Sequence, residues 1–109
     1  MRPCLFCAAV VCYAEKNREV SLFMRMRKEK NLIPRMEKCS AVHVRDGFSL
    51  KGKWRETLMP EATELRVELG CGKGRFTVET ARQNPEILFI AIEKVPDAMV
   101  IAMERAAAL

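Results

Sequence analysis

The sequence predicts an α/β fold built on an open, mainly parallel β-sheet. Two predicted strands and two predicted helices alternate over the second half of the 109 residues, and a glycine-rich turn joins the first strand to the first helix. Strict alternation of strands and helices is typical of parallel sheets, because each return to the same edge needs a helical crossover. The expected fold class is therefore a parallel α/β sheet.

The first strand and the first helix are predicted from different signals. Leu65, Val67 and Leu69 alternate with charged residues, which is the period of a strand. The segment 75–83 is predicted as a helix because it follows the glycine turn and ends at Asn84-Pro85. Its apolar pattern is weak, so these flanking residues carry the prediction.

The second strand is predicted over residues 87–92, a continuous apolar run of strand length. Pro96-Asp97 opens the last helix, whose apolar positions share one face: Met99, Ala102, Met103 and Ala106. A strand that is apolar on both sides needs neighbours, and only one other strand is predicted. The last helix also lacks a stop signal. Both observations lead us to expect a chain that is cut within its fold.

Two zones precede this domain, which we place at 61–109. Residues 24–60 form a basic leader with ten basic and four acidic side chains, and residues 1–23 fit neither neighbour in composition. Segment 52–59 of the leader is predicted as a short helix with the only tryptophan, Trp54, as a packing anchor rather than a base-stacking residue. The leader suggests a polyanionic partner, but charge alone favours the alternative of a solvated lysine-rich surface.

The cysteines and the N-terminal apolar run limit location and chemistry. Five cysteines, an odd number, do not form a disulfide framework and favour a reducing, cytoplasmic compartment. Cys4, Cys7, Cys39 and His43 could formally bind zinc, but their gap exceeds that of compact zinc modules, so no metal site is predicted. Residues 5–14 are too few to span a bilayer. They could be a weak signal peptide, but a start-site artefact before Met24 is the preferred interpretation.

The glycine-rich turn is the strongest functional signal. It reads Glu68-Leu69-Gly70-Cys71-Gly72-Lys73-Gly74, and Glu93 follows at the end of the next strand. Gly70 and Gly72 permit a tight turn with backbone close to a ligand, and Glu93 has the spacing of an acid that binds ribose hydroxyls. The alternative is a plain turn with Glu93 as a surface carboxylate.

Two common phosphate motifs do not fit this turn. Arg75 stands where the dinucleotide fingerprint needs glycine or alanine, and Gly74 stands where the phosphate loop needs serine or threonine. Cys71 has no histidine nearby, so we interpret it as a small residue tolerated in the loop rather than as a nucleophile.

The acid-x-Gly-x-Gly-x-Gly arrangement resembles the cofactor motif of the class I S-adenosylmethionine-dependent methyltransferases. Three stretches together resemble the bacterial tRNA (guanine-N7-)-methyltransferase family, especially its Gram-positive branch. They are Met24-Arg25-Met26-Arg27-Lys28 with Arg35-Met36-Glu37-Lys38-Cys39, then Lys51-Gly52-Lys53-Trp54-Arg55-Glu56, then Val67 to Gly74 running on through Asn84-Pro85 to Ala91-Ile92-Glu93-Lys94. The resemblance runs from Met24 to about Ala106 and leaves out residues 1–23, which we therefore expect to be extraneous.

The resemblance implies a Rossmann-like class I methyltransferase fold and methyl transfer from S-adenosyl-L-methionine to N7 of a guanine in tRNA. It implies that Glu68 anchors the methionine end of the cofactor, that Glu93 holds its ribose, and that Gly70 and Gly72 line it. The candidate contacts to tRNA phosphates are Arg25, Arg27, Lys28 and Lys30. Arg75 departs from the small residue often found in the family.

The family's catalytic residues are expected beyond Leu109, so no catalytic residue is assigned and the isolated chain is expected to be inactive. A monomer without membrane contact is expected. The alternatives are another class I methyltransferase, acting on ribosomal RNA or a small molecule, or a non-catalytic gene remnant.

Overall fold

The computed structural model describes residues 9–13 and 28–109. Their sheet has four parallel strands in the order β2-β1-β4-β3. The strands are β1 (Ala9–Tyr13), β2 (His43–Val44), β3 (Glu64–Leu69) and β4 (Ile87–Glu93). The α-helices of the described residues are α1 (Leu32–Lys38), α2 (Trp54–Leu58), α3 (Arg75–Gln83) and α4 (Pro96–Ala107), and single 3₁₀ turns lie at Ser40–Val42 and Phe48–Leu50.

The predicted strand–helix–strand–helix order of the second half is confirmed. Strand β3 begins one residue before the predicted strand, α3 has the predicted bounds, and β4 extends one residue further to Glu93. The short leader helix is confirmed as α2, and Trp54 packs beside Leu58 against buried Met59, Ala62 and Leu88. Local patterns and punctuation were sufficient for each of these elements.

The expectation that this chain supplies only two strands of the sheet is wrong. Strand β1 pairs in parallel with β4 from Ala9 opposite Phe89 to Tyr13 opposite Glu93, and β2 pairs with the other edge of β1. Residues 9–13 therefore supply the neighbour that β4 needs. A pairing across so long a stretch of chain leaves no local signal, which is why the apolar run was not interpreted as a strand. Whether residues 1–23 are native stays a prediction.

The two faces of β4 belong to two layers of the core. Ile87 and Phe89 pack with Ala81 of α3 on one face, and Ala91 packs on that side with α4. Leu88 and Ile90 pack on the other face against Met59 and Ala62. A parallel strand covered on both faces must be apolar throughout, which explains the continuous run.

Helix α4 is the centre of the larger cluster. Met99 and Met103 are fully buried and pack with Cys39, at the end of α1, and with Val42. On its other side α4 approaches the turn before α3, where a Cβ on Gly74 would lie 2.6 Å from the Cβ of Ala102. The leader and the glycine turn are thus both packed on one helix.

Strand β3 has one apolar face that the described residues leave uncovered. Leu65, Val67 and Leu69 are 36%, 52% and 78% exposed. Their register with Leu88 and Ile90 places them on the same face as the buried residues of β4. Within the described ranges, no helix has the length and apolar character needed to cross a membrane.

Candidate cofactor-binding site

The glycine-rich turn leaves β3 and is fastened at once to the end of β4. The amides of Gly70 and Cys71 both donate to the carbonyl oxygen of Ile92, at 2.7 and 3.1 Å. Gly70, Gly72 and Gly74 have φ values of +74°, +59° and +74°, a region that residues with a Cβ rarely adopt. The sequence can make this turn only because glycines occupy these three positions.

Glu93 is a buried acid that holds the turn. Its side chain is only 7% exposed. One carboxylate oxygen accepts a hydrogen bond from the Gly72 amide at 2.7 Å, and the other accepts from the amides of Lys94 and Val95 at 2.9 and 3.1 Å. The alternative of a surface carboxylate is therefore wrong. A carboxylate has about four acceptor sites, so Glu93 keeps capacity for a ligand hydroxyl.

Glu68 lies in a contrasting environment on the neighbouring strand. It pairs in register with Ala91, on the face of the sheet that carries α3 and α4. Its Oε2 atom is buried and has no hydrogen-bond partner within residues 9–13 and 28–109, and burial raises the pKa of its carboxyl group. Buried polar atoms are nearly always hydrogen-bonded in native proteins, so this acceptor beside the glycine turn is a candidate contact for a ligand donor.

Cys71 lies between the two acids. Burial and the charges of Glu93 and Glu68 raise the pKa of its thiol to about 11. The thiol therefore stays protonated near neutral pH and makes a poor nucleophile. This agrees with the interpretation of Cys71 as a small residue within the turn.

The turn has one packed side and one open side. A Cβ built on Gly74 would press against Ala102, whereas a Cβ built on Gly70 or Gly72 would meet nothing within 4 Å. Gly74 is needed for helix packing. Gly70 and Gly72 adjoin open space in which a ligand can approach the backbone.

The structure describes two of the four residues that are predicted to contact nucleic acid. Arg25 and Arg27 lie outside the described residues, while Lys28 and Lys30 are exposed. Arg75, the first residue of α3, is exposed as well. Contact with tRNA stays a prediction for all of the leader positions.

Two contributions to the site were missed from the sequence. The amides of Lys94 and Val95 hold Glu93, and Arg105 donates to the carbonyl oxygen of Lys73 at 3.1 Å. A backbone donor has no sequence signature, and nothing local links Arg105 to the turn. The described residues contain no cluster of three or more potential metal ligands, and Cys4 and Cys7 lie outside them.

Sequence comparisons relate the chain to methyltransferases. Residues 62–109 match the family model described as "Putative methyltransferase". A protein of Acetivibrio thermocellus named tRNA (guanine-N(7)-)-methyltransferase is 39% identical over 82 residues, which are 75% of this chain and 37% of that protein. One of Listeria monocytogenes with the same name is 32% identical over 76% of this chain and 38% of its own length.

A third relative has a higher sequence identity over a shorter alignment. A protein of Christiangramia forsetii, also named tRNA (guanine-N(7)-)-methyltransferase, is 52% identical over 46 residues, which are 42% of this chain and 20% of that protein. Over about three quarters of its length the chain is similar to proteins named tRNA (guanine-N(7)-)-methyltransferase. It spans somewhat more than a third of the length of the first two of these relatives. No solved structure matches the chain.

Proposed function

We propose that residues 61–109 form the S-adenosylmethionine site of a tRNA (guanine-N7-)-methyltransferase with a Rossmann-like class I fold. The observation that carries this proposal is the pair of acids at the glycine turn. Glu93 accepts three backbone hydrogen bonds and keeps room for one more, while the buried Oε2 of Glu68 has no hydrogen-bond partner among the described residues. The names of the relatives supply the reaction and the tRNA substrate.

The residues present fit the cofactor. The Glu68 carboxylate would accept a hydrogen bond from the cationic amino group of the methionine end, which satisfies its unpartnered oxygen with a charge-assisted bond. Glu93 would accept a hydrogen bond from a ribose hydroxyl at its remaining acceptor site. The open space beside Gly70 and Gly72 would let the cofactor lie against the backbone.

The proposed reaction asks little acid–base chemistry of the protein. The bound cofactor supplies a methyl group on a positively charged sulfur, and guanine N7 already carries a free lone pair. Catalysis is then mainly a matter of holding the two reactants in line. The part assigned to this chain is to fix the cofactor, and the exposed Lys28 and Lys30 would contact tRNA phosphates in a salt-sensitive manner.

Cofactor binding tests the central observation. Calorimetric titration with S-adenosylhomocysteine should give saturable binding to the chain, and Glu68→Gln should weaken it roughly tenfold or more, because a hydrogen bond to a charged group is worth about 1.5–3 kcal/mol. Glu86→Gln is the matched control, since Glu86 is exposed and remote from the turn. Equal affinity of the Glu68→Gln variant and the unaltered chain would contradict the assignment.

Substrate choice needs a complete enzyme around this site. A chimera would carry this chain in place of the matching segment of the Acetivibrio thermocellus relative. Transfer of labelled methyl to a tRNA transcript, with N7-methylguanine identified by nucleoside mass spectrometry, is expected. Ribosomal RNA serves as the competing acceptor, and labelling of that RNA alone would favour another methyltransferase class. The Glu68→Gln chimera should lose most of the transfer.

A further inference from the structure

Arg35 ties the leader to the methyltransferase domain through two acids. Its guanidinium group makes a bidentate contact with Glu104 of α4, with Nε donating to Oε2 at 3.2 Å. It also donates to Glu29 Oε2 at 2.9 Å and to the carbonyl oxygen of Lys30 at 3.1 Å. The Arg35 and Glu29 side chains are only 26% and 25% exposed. Arg35 therefore fastens the start of the described leader to α4.

The same leader segment is bound to the first turn of α4. The backbone amide of Glu29 donates to Oδ1 of Asp97 at 2.7 Å, across 68 residues of sequence. Arg35 holds the Glu29 side chain while Asp97 holds the Glu29 backbone. Glu29 is thus held through its side chain and through its backbone amide.

The link continues to the candidate cofactor site. Asp97 lies two residues after Val95, and the Val95 carbonyl oxygen accepts from the amides of Ala98 and Met99 in the first turn of α4. The Val95 amide donates to Glu93, whose other oxygen holds Gly72. A continuous series of contacts therefore runs from Arg35 through Glu29 and Asp97 to the glycine turn.

We propose that Arg35 is a positioning residue that couples the leader to the cofactor site by holding Glu29 against Asp97 at the start of α4. The part that concerns cofactor affinity rests on the proposed function. Because Lys28 and Lys30 flank Glu29, an RNA that binds the leader would act on the same turn that holds Glu93. Occupation of the leader and of the cofactor site would then strengthen each other, since coupling between sites is reciprocal.

Hydrogen exchange tests the coupling without any ligand. Arg35→Met keeps an unbranched side chain out to the position of Nε and removes both ion pairs. We expect the amides of Glu29, Lys94 and Val95 to exchange about fivefold faster or more in this variant, while the β3–β4 ladder is unchanged. Arg35→Lys should restore part of the protection. Arg82→Met, which removes an exposed ion pair to Glu79 within α3, is the control and should leave all these amides unchanged.

Affinity for S-adenosylhomocysteine provides the second measurement. Arg35→Met and Asp97→Ala should each weaken binding roughly fivefold. The double variant should be no weaker than the weaker single variant, because both substitutions break the same link. Additive losses, or Lys94 and Val95 amides that exchange at the original rate in Arg35→Met, would overturn the proposal. Failure of the unaltered chain to bind the cofactor analogue would instead count against the proposed function, and hydrogen exchange alone would then decide the role of Arg35.

Discussion

Glu68 and Glu93 are the same residue type on neighbouring parallel strands, and their surroundings give them different tasks. Glu93 accepts three backbone hydrogen bonds and stabilises the turn whether or not a ligand is bound. The buried Oε2 of Glu68 accepts no hydrogen bond from the described residues. An unpartnered buried side chain lowers the stability of the free protein. Proteins keep such a side chain where it binds a ligand.

Replacement of Glu68 should therefore stabilise the free chain while it weakens the cofactor site. Burial raises the pKa of the folded carboxyl group above its ordinary value of 4.5. Folding therefore disfavours the ionised form, so Glu68→Gln, which is neutral, should increase the free energy of unfolding at pH 7. As the pH falls through the raised pKa, the unaltered chain gains a proton and the difference shrinks.

Urea unfolding of the two proteins at pH 7 and near pH 5 measures this difference. The same Glu86→Gln control applies, since its exposed carboxylate should change stability little at either pH. A stability difference between the Glu68→Gln variant and the unaltered chain that grows on acidification would show that Glu68 is stabilised in its ionised form, contrary to its unpartnered oxygen.

The sequence identified the acids and glycines of the site but not what holds them. Glu93 follows a strongly apolar strand, and Gly70 and Gly72 interrupt a strand–helix junction, so local pattern was enough to find them. Arg35 enters the sequence analysis only as part of a stretch that resembles the family, with no partner predicted. Its partner Glu104 lies 69 residues away in sequence. Their pairing depends on how α1 packs on α4.

At the scale of elements, the close approach of α4 to the glycine turn is the tightest contact. Gly74 has φ +74° and would bring a Cβ to 3.0 Å from the Cα and 2.6 Å from the Cβ of Ala102. Gly52 has nearly the same φ, +76°, but open space around it. Alanine substitutions at the two glycines therefore distinguish the effect of backbone strain from the effect of crowding between elements.

We expect Gly74→Ala to lower the free energy of unfolding by about 2–4 kcal/mol, the sum of left-handed strain and overpacking. Gly52→Ala should show only the strain, about 1–2 kcal/mol. Urea unfolding with circular dichroism detection compares the two variants directly. Equal losses would mean that α4 can move away from the turn without cost, and that the contact with Ala102 does not limit the packing.

The elements that were predicted share a property: each can be recognised from residues within itself or at its ends. Strand β4 is apolar throughout and α3 ends at Asn84-Pro85. Strand β1 has no such punctuation, and its role depends on pairing with β4 far along the chain. Pairing between distant segments is decided by the whole sheet, which a local pattern does not contain.

For the molecule as a whole, the sheet is protected unevenly. Strand β4 lies between β1 and β3 and is covered on both faces, whereas β3 leaves Val67 and Leu69 half or more exposed. Exposed apolar residues on an edge strand favour association with other chains. Stability of the described sheet therefore depends strongly on β1. Without β1, the apolar strand β4 would itself be an edge strand.

Removal of residues 1–23, so that the chain begins at Met24, is the sharpest test of that dependence. It deletes a strand that is paired on both edges, and the loss of its ladder bonds should reduce the free energy of unfolding by about 2–5 kcal/mol. The denaturant slope should fall as well, because less surface is buried on folding.

Two matched variants distinguish the strand from the mere length of the N-terminus. Removal of residues 1–8 leaves β1 in place and should change stability little, whereas Val11→Pro removes a backbone donor from a strand with neighbours on both sides and should reproduce part of the loss. If the chain that begins at Met24 unfolds at the same urea concentration as the complete one, β1 contributes nothing to the fold. Residues 1–23 would then be dispensable, as their composition suggested, and β4 would be stable with β3 as its only partner.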